Sequence, residues 1–281
     1  MITEVIYFLN ELDMLEAHLE EHQHFVDKFF IKESACLWSG LSKKLHFDEN
    51  RERFSRFNIE PIVIPNSEFD LSIPSSFPED EFKKWFDVRR NNRSNSRRYR
   101  WEDICAGCDW VMSMDCDEIV DSRKASVFLD CLKPDFEHVA VHLTQYQHWI
   151  NVRGKGLKLW RVFRSDVPHR FAVRGFPRVV TPERVGGHFT NCYISAPAIR
   201  TKALGILTHY GYKGADDVPT VDEISRSLEA GVDPFRTRWS GDQSVPETVR
   251  AIAPPDQRIM PDLEHTPKFM RENPTLFPVY G

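Results

Sequence analysis

Short apolar segments alternate with helical ones through the first third of the chain, and this alternation restricts the available folds more than any other feature. "EVIYFL" (4–9), "DKFFIKES" (27–34) and "IEPIVIP" (59–65) read as strands. Between the first two, "NELDMLEAHLEEHQHF" carries Leu12, Leu15, Leu19 and His22 at helical spacing, and a helical "ENRERFSRF" precedes the third. Strands separated by helices pair in parallel, so the pattern predicts a mostly parallel sheet covered on both faces. This first third reads as a nucleotide-binding α/β half.

Further along, the Ser- and Pro-rich stretch 66–78 is a loop and a long helix is expected over about 79–104. A buried strand at 109–115, a helix in "RKASVFLDCLK" and two antiparallel strands in "HVAVHLTQYQHWI" and "LKLWRVFR" follow. "ALGILTHYGY" predicts a strand ending in His209, then a helix over about 219–230 and a Pro-rich tail from Ala253 that wraps the surface or closes a site. No clean domain break, repeat or low-complexity tract intervenes, so a single domain is expected: a nucleotide half (1–121), an acceptor half (122–252) and the tail (253–281).

A chain of 281 residues that is 41% hydrophobic can bury a substantial core. Its net charge of −5 argues against a wholesale nucleic-acid or membrane-surface binder. The N-terminal segment lacks a basic start and its apolar run is too short to span a bilayer, so a soluble, cytoplasmic protein with no membrane span is expected. Six cysteines without an export signal predict reduced thiols, and "CAGC" (105–108), with no second pair, reads as two buried or half-buried thiols.

"DWVMSMDCDEIV" (109–120) ends a buried strand with Asp115, Asp117 and Glu118 in four positions. Like charges so close repel, and an ionised carboxylate out of water costs several kcal/mol unless it is paired or metal-bound. In open α/β sheets ligands sit at the carboxyl ends of strands, where this cluster falls. All-oxygen ligands suit Mg²⁺ or Mn²⁺, which keep places open for phosphate oxygens. The competing reading is a turn of solvated acids capping a helix that starts near Ser122.

The chain resembles glycosyltransferase family 17 in five segments that occur in the family's order. They are "FLNELDMLEAHLEEHQHFVDKFFIKESACLWSGLSKKLHF" (8–47), "MDCDEI" (114–119), "GGHF" (186–189), "LTHYGY" (207–212) and "EISRSLEAGVDPF" (223–235). The third departs from the family's Gly-Trp-His-Phe box, because Gly187 stands where the Trp would be. The resemblance implies a GT-A-type fold, a Rossmann-related mixed and mostly parallel central sheet flanked by helices. It also implies a nucleotide-sugar donor, usually UDP-linked, and inversion at the anomeric carbon. Mn²⁺ or Mg²⁺ would be held by Asp117 and His209, with Asp115 sharing the metal or contacting ribose or bound water.

Inversion needs a base near the acceptor hydroxyl. Glu183 is the first candidate, with His188 and Asp217 behind it. Asn10, Glu11, Glu33 and Ser34 close the first two strands and would contact the donor's base and ribose, although helix capping competes for Asn10 and Glu11.

"RRNNRSNSRRYRW" (89–101) places Arg90, Arg93, Arg97 and Arg100 on one expected helical face. Arg93 and Arg97 could bind a diphosphate through forked hydrogen bonds. A solvated face paired with nearby acids and a nucleic-acid contact using Tyr99 and Trp101 compete with that role. The acceptor is accordingly a glycan, a small molecule or modified nucleic acid. A metal-dependent phosphohydrolase and a non-catalytic sugar- or nucleotide-binding module are the rival functions.

Overall fold

Strand β1 (Ile2–Tyr7), helix α1 (Leu12–His22) and strand β2 (Lys28–Ser34) form the first crossover unit, and β1 and β2 pair in parallel. The computed structural model describes residues 1–72, 79–147, 149–167, 177–190, 192, 195–205, 215–229, 234, 258–259 and 266–277. A short helix α2 (His46–Glu49) leads to β3 (Ile59–Ile64), which adds in parallel to β2. Pro61 is tolerated there because β3 is an edge strand of the sheet. Helices α3 (Phe82–Arg98) and α4 (Trp101–Cys105) return the chain to β4 (Trp110–Asp115), which lies parallel to β1 on its other side.

The chain then leaves the parallel region abruptly. Two residues after β4 ends, β5 (Glu118–Val120) begins, and after α5 (Ala125–Leu129) come the long antiparallel strands β6 (His138–Gln147) and β7 (Trp149–Arg164). Short strands β8 (Arg178–Val180) and β9 (Gly186–Thr190), helices α6 (Ala196–Gly205) and α7 (Val221–Glu229), strand β10 (Arg258–Ile259) and helix α8 (Lys268–Glu272) complete the described elements. The sheet order is β3-β2-β1-β4-β7-β6-β9-β5, with β8 on β6 and β10 on β7. Strand β5 therefore lies four places from β4 in the sheet although only two residues separate them. This forces the sheet to curl and makes residues 116–117 the bridge between its halves.

The main core lies between this curl and α1, with Leu15, Met112, Phe128, Val141 and Phe189 fully buried. Each such side chain contributes roughly 1.5–3 kcal/mol relative to exposure. The mixed, mostly parallel, helix-flanked sheet expected from the sequence is the architecture found.

Four local expectations are corrected. The single helix over 79–104 breaks at Arg100, which takes a left-handed backbone (φ 53°) and turns the chain toward β4. The helix expected over 123–133 shortens to α5. Residues 203–205, expected in a strand, close α6, and 206–212 lie outside the described residues. The described end of the tail does not merely wrap the surface: Met270 and Phe277 are fully buried in the core, and the Phe269 N–H donates to Glu21 at 3.3 Å on α1.

The "CAGC" thiols match the quiet reading. Burial and the neighbouring Cys108 push the Cys105 thiol up to about 12, and burial raises Cys108 as well. Thiols held this far above neutrality are poor nucleophiles and poor metal ligands.

The glycine pair of β9 is explained by close approach. A Cβ on Gly186 would lie 1.9 Å from the Ile119 carbonyl oxygen, and one on Gly187 would lie 2.4 Å from the Phe189 ring. Phe189 stacks on Tyr146, centroids 4.7 Å apart and 9° from coplanar. That stack fills the space beside position 187. Gly186→Ala must push backbone against backbone, so a loss of about 1–3 kcal/mol is expected, read as a lower urea midpoint at unchanged m-value.

Candidate active site at the acidic turn

Asp115 ends β4 beside Tyr7, its register partner at the end of β1. On a continuing strand Asp115 and Asp117 would share a face, but the turn at 116–117 sends them to different neighbours. Asp115 faces α3 and β7, whereas Asp117 faces α6 and β9.

Three arginines enclose Asp115. Arg97 ion-pairs with its Oδ1, while Arg93 and Arg161 reach Oδ2 at 3.3 and 3.1 Å. Arg161 also reaches Glu118 Oε1 at 2.5 Å, and Glu118 Oε2 accepts the Asp115 N–H at 3.0 Å. Burial alone would raise the Asp115 carboxyl, but Arg97, Arg161 and Arg93 hold it well below the usual carboxylate range. Burial would likewise lower Arg161, yet Glu118 and Asp115 raise it. This is a closed charge network with one more cation than anions.

The network is anchored from below. Arg97 lies 4.4 Å over the Tyr7 ring, and Lys32, buried in β2, donates to the Arg97 carbonyl at 3.0 Å and to the Tyr99 carbonyl. An ammonium at a helix C-terminus meets the negative end of the dipole. Burial, then Arg97, lowers the Lys32 ammonium to about 7.

Asp117 has different company. Lys202 of α6 donates to its Oδ2 at 2.6 Å, and His188 Nε2 of β9 lies 3.6 Å from its Oδ1. The same Lys202 ammonium stands 3.6 Å from Glu11 Oε1. Burial would raise the Asp117 carboxyl, but Lys202 and then His188 depress it.

The expected residues divide accordingly. Arg93, Arg97, Asp115, Asp117, His188 and Glu11 come together at the turn, while His209 lies outside the described residues. Arg90 instead pairs with Asp87 at 3.1 Å, and Arg100 turns away to Asp103 at 2.9 Å, because α3 ends before it. Asn10 is adjacent, its backbone N–H donating to Glu11 Oε2 at 3.1 Å, and no side-chain cap bond forms at the start of α1. Glu33 is engaged by Lys43 at 2.6 Å and by the N–H groups of His46 and Phe47 at the start of α2. The Ser34 hydroxyl donates to the Cys36 carbonyl at 2.5 Å. Glu183 lies beyond the far end of β5, 3.2 Å from Lys124, and is half exposed. Asp217 is exposed on a short 3-10 turn before α7.

Arg161 and Lys202 are the residues the sequence reading missed. Arg161 carried a signal: strict alternation in "LKLWRVFR" groups it with Leu157, Leu159 and Phe163, where a charge requires a buried partner, although a bulge between Trp160 and Val162 breaks that alternation in the strand. Lys202 carried none.

Of the two acids, Asp117 suits a divalent cation better than Asp115. Its carboxylate is balanced by an ammonium on a flexible side chain, so a cation would bind there in exchange for Lys202 rather than beside it. Both oxygens of Asp115 are taken by guanidinium groups. A surface cavity of about 910 Å³ lies elsewhere, at the opposite end of β4 between α4 and Ser165–Val167.

Comparison with known proteins matches residues 1–162, from β1 into β7, to glycosyltransferase family 17. No curated protein sequence matches the chain. Among solved structures, residues 1–349 of TarS from S. aureus are similar at TM-score 0.37 and 10% identity, over 80% of this chain and 69% of that one. HddC from Yersinia pseudotuberculosis is similar at TM-score 0.32 and 11% identity, over 64% of this chain and 89% of that one. No described helix is long and apolar enough to cross a membrane.

Proposed function

Because the chain belongs to glycosyltransferase family 17 and is therefore a glycosyltransferase, we propose that it moves a sugar, with inversion, from a UDP-linked donor to an acceptor hydroxyl, using Mn²⁺ or Mg²⁺ held at Asp117. One observation carries this reading: Arg93, Arg97, Arg161 and Lys202 converge on a single acidic turn at the carboxyl end of parallel strands. A nucleoside diphosphate-sugar is a ligand whose phosphates the surplus guanidinium on the Asp115 side can meet.

Cleaving a sugar–phosphate bond leaves an oxocarbenium-like sugar and a diphosphate that gathers negative charge. Arg93, the most exposed of the three arginines, is free to swing a fork toward that diphosphate, while Arg97 and Arg161 stay fixed on Asp115. Lys202 adds a second positive charge from the other side of the turn. A bound divalent ion would supply Lewis-acid neutralisation of the leaving group, with Asp117 as its protein anchor and His209 as the further ligand the family resemblance suggests.

In this reading His188, which lies at the acidic turn, takes the part of base ahead of Glu183, which pairs with Lys124 beyond the far end of β5. The His188 side chain is partly exposed while Nδ1 is buried, so Nε2 is the nitrogen that would take the acceptor's proton, with Asp117 3.6 Å away to stabilise the imidazolium formed. The acceptor is a hydroxyl on a glycan, a small molecule or modified nucleic acid.

A thermal-shift panel tests the donor and metal together. At about a hundred times Kd, UDP or a UDP-sugar with Mn²⁺ is expected to raise Tm by roughly 5–10 °C, most of it lost in EDTA. Slow release of free sugar from the donor separates an enzyme from a pure binder. No shift with any nucleotide-sugar would defeat the donor assignment, and a shift indifferent to EDTA would defeat the metal.

A further inference from the structure

Beneath the acidic turn, fully buried Glu4, His18 and His22 link β1 and α1 to both shoulders of the turn. The Val120 N–H donates to His22 Nε2 at 2.7 Å, and His22 Nδ1 meets Glu4 Oε2 at 2.7 Å. His18 Nε2 meets Glu4 Oε1 at 2.9 Å, and His18 Nδ1 meets the Cys116 carbonyl at 3.1 Å. One residue earlier on α1, Glu21 accepts the Ser122 N–H at 2.9 Å. The second half of α1 thus holds the segment 116–122 at three points.

The hydrogen-bond roles follow from the backbone ends. A peptide N–H can only donate, so His22 Nε2 accepts and its proton sits on Nδ1, donated to Glu4. A carbonyl can only accept, so His18 carries a proton on Nδ1. Burial would raise Glu4, but His22 and His18 hold it at about 2, so it is ionised and accepts the His22 proton.

The three residues also meet the spacing of a three-ligand metal site. That reading fails at His22, whose Nδ1 would need a free lone pair but carries the ring proton, because the Val120 N–H occupies Nε2. Moving the His22 proton to Nε2 would set it head-on against the Val120 N–H.

We propose that Glu4, His18 and His22 form a metal-free positioning relay that fixes Asp117 by gripping the backbone on either side of it, at Cys116 and Val120. The catalytic part of this rests on the donor reading above. The relay acts through geometry: a carboxylate that must meet a ligand cation is useful only if its backbone cannot drift, and a displacement of about 1 Å costs roughly 10²-fold in rate.

Two substitutions at one position separate this from simple core stability. In His18→Asn the amide nitrogen reproduces Nδ1 and keeps the bond to Cys116, whereas in His18→Gln it reproduces Nε2 and keeps only Glu4. Both lose one buried hydrogen bond, so comparable falls in Tm are expected. His18→Gln is expected to lose about 10²-fold in kcat with donor KM little changed, and His18→Asn to stay within about threefold of the parent. Equal losses of kcat in the two variants would overturn the proposal.

Amide exchange over residues 113–121 reads the same contrast without any substrate, about tenfold faster in His18→Gln alone. It therefore decides the case even if no nucleotide-sugar turns over, which would defeat the donor reading instead. On the unsubstituted chain, histidine ¹⁵N spectra are expected to give His22 as the Nδ1–H tautomer. The opposite tautomer, or stoichiometric zinc in the purified protein, would overturn the relay.

Discussion

Asp117→Asn is expected to lower sugar transfer by at least about 10²–10³-fold while the chain still folds. The amide preserves shape and one acceptor oxygen, so Lys202 retains a hydrogen bond and keeps Glu11 at 3.6 Å as a counter-charge. What disappears is the negative charge that would anchor a divalent cation and hold His188 for proton removal. Two measurements check this together: the Mn²⁺ dependence of kcat/KM, and the thermal shift with UDP. Transfer within about threefold of the parent chain would remove Asp117 from the mechanism. A lost thermal shift with retained turnover would instead assign it to binding alone.

Arg161→Met should produce the largest loss of stability, about 3–5 kcal/mol or roughly 6–15 °C in Tm. Arg161 is the only described side chain bonded to both Asp115 and Glu118. Removing it strands Glu118, whose side chain is 1% exposed, with the Asp115 N–H as its remaining donor. A buried carboxylate so abandoned must stay charged at a high price or take up a proton. Adding Glu118→Gln should recover part of the loss, because the amide needs no counter-ion. A double variant no more stable than Arg161→Met would show that packing, not charge, sets the effect.

Much of the parallel half was legible because it is written in local pattern. Strands β1, β2 and β3 and helix α1 each carry their own periodicity, and the acidic turn declares itself by crowding carboxylates after a buried run. Arg93 and Arg97 were legible together because four residues make about one helical turn. The break at Arg100 was not, since "RRYRW" has ordinary helix formers and the left-handed residue is imposed by the need to return to β4. Glu33 reads as a strand-end ligand but serves the start of α2, a contact made to His46, thirteen positions further along the chain. Lys202 was invisible because a lysine in "RTKALG" differs in nothing from a solvated one. Only the packing of α6 against the curl reveals its partner. The missing Trp of the "GGHF" segment is intelligible only once Tyr146 and Phe189 are seen to be stacked beside Gly187.

The two acids of the turn are neutralised by unlike means, and this has a consequence for turnover. The counter-charges of Asp115 arrive on the sheet and on α3 and are interlocked. That of Asp117 hangs on a flexible four-carbon arm that α6, a helix and not a strand, supplies. Withdrawing that arm breaks no ladder hydrogen bond, so the vacancy it leaves can be filled by an incoming cation without disturbing the scaffold. In the reaction proposed above, the turn would thus exchange one positive partner for another, remaining electrically balanced between visits.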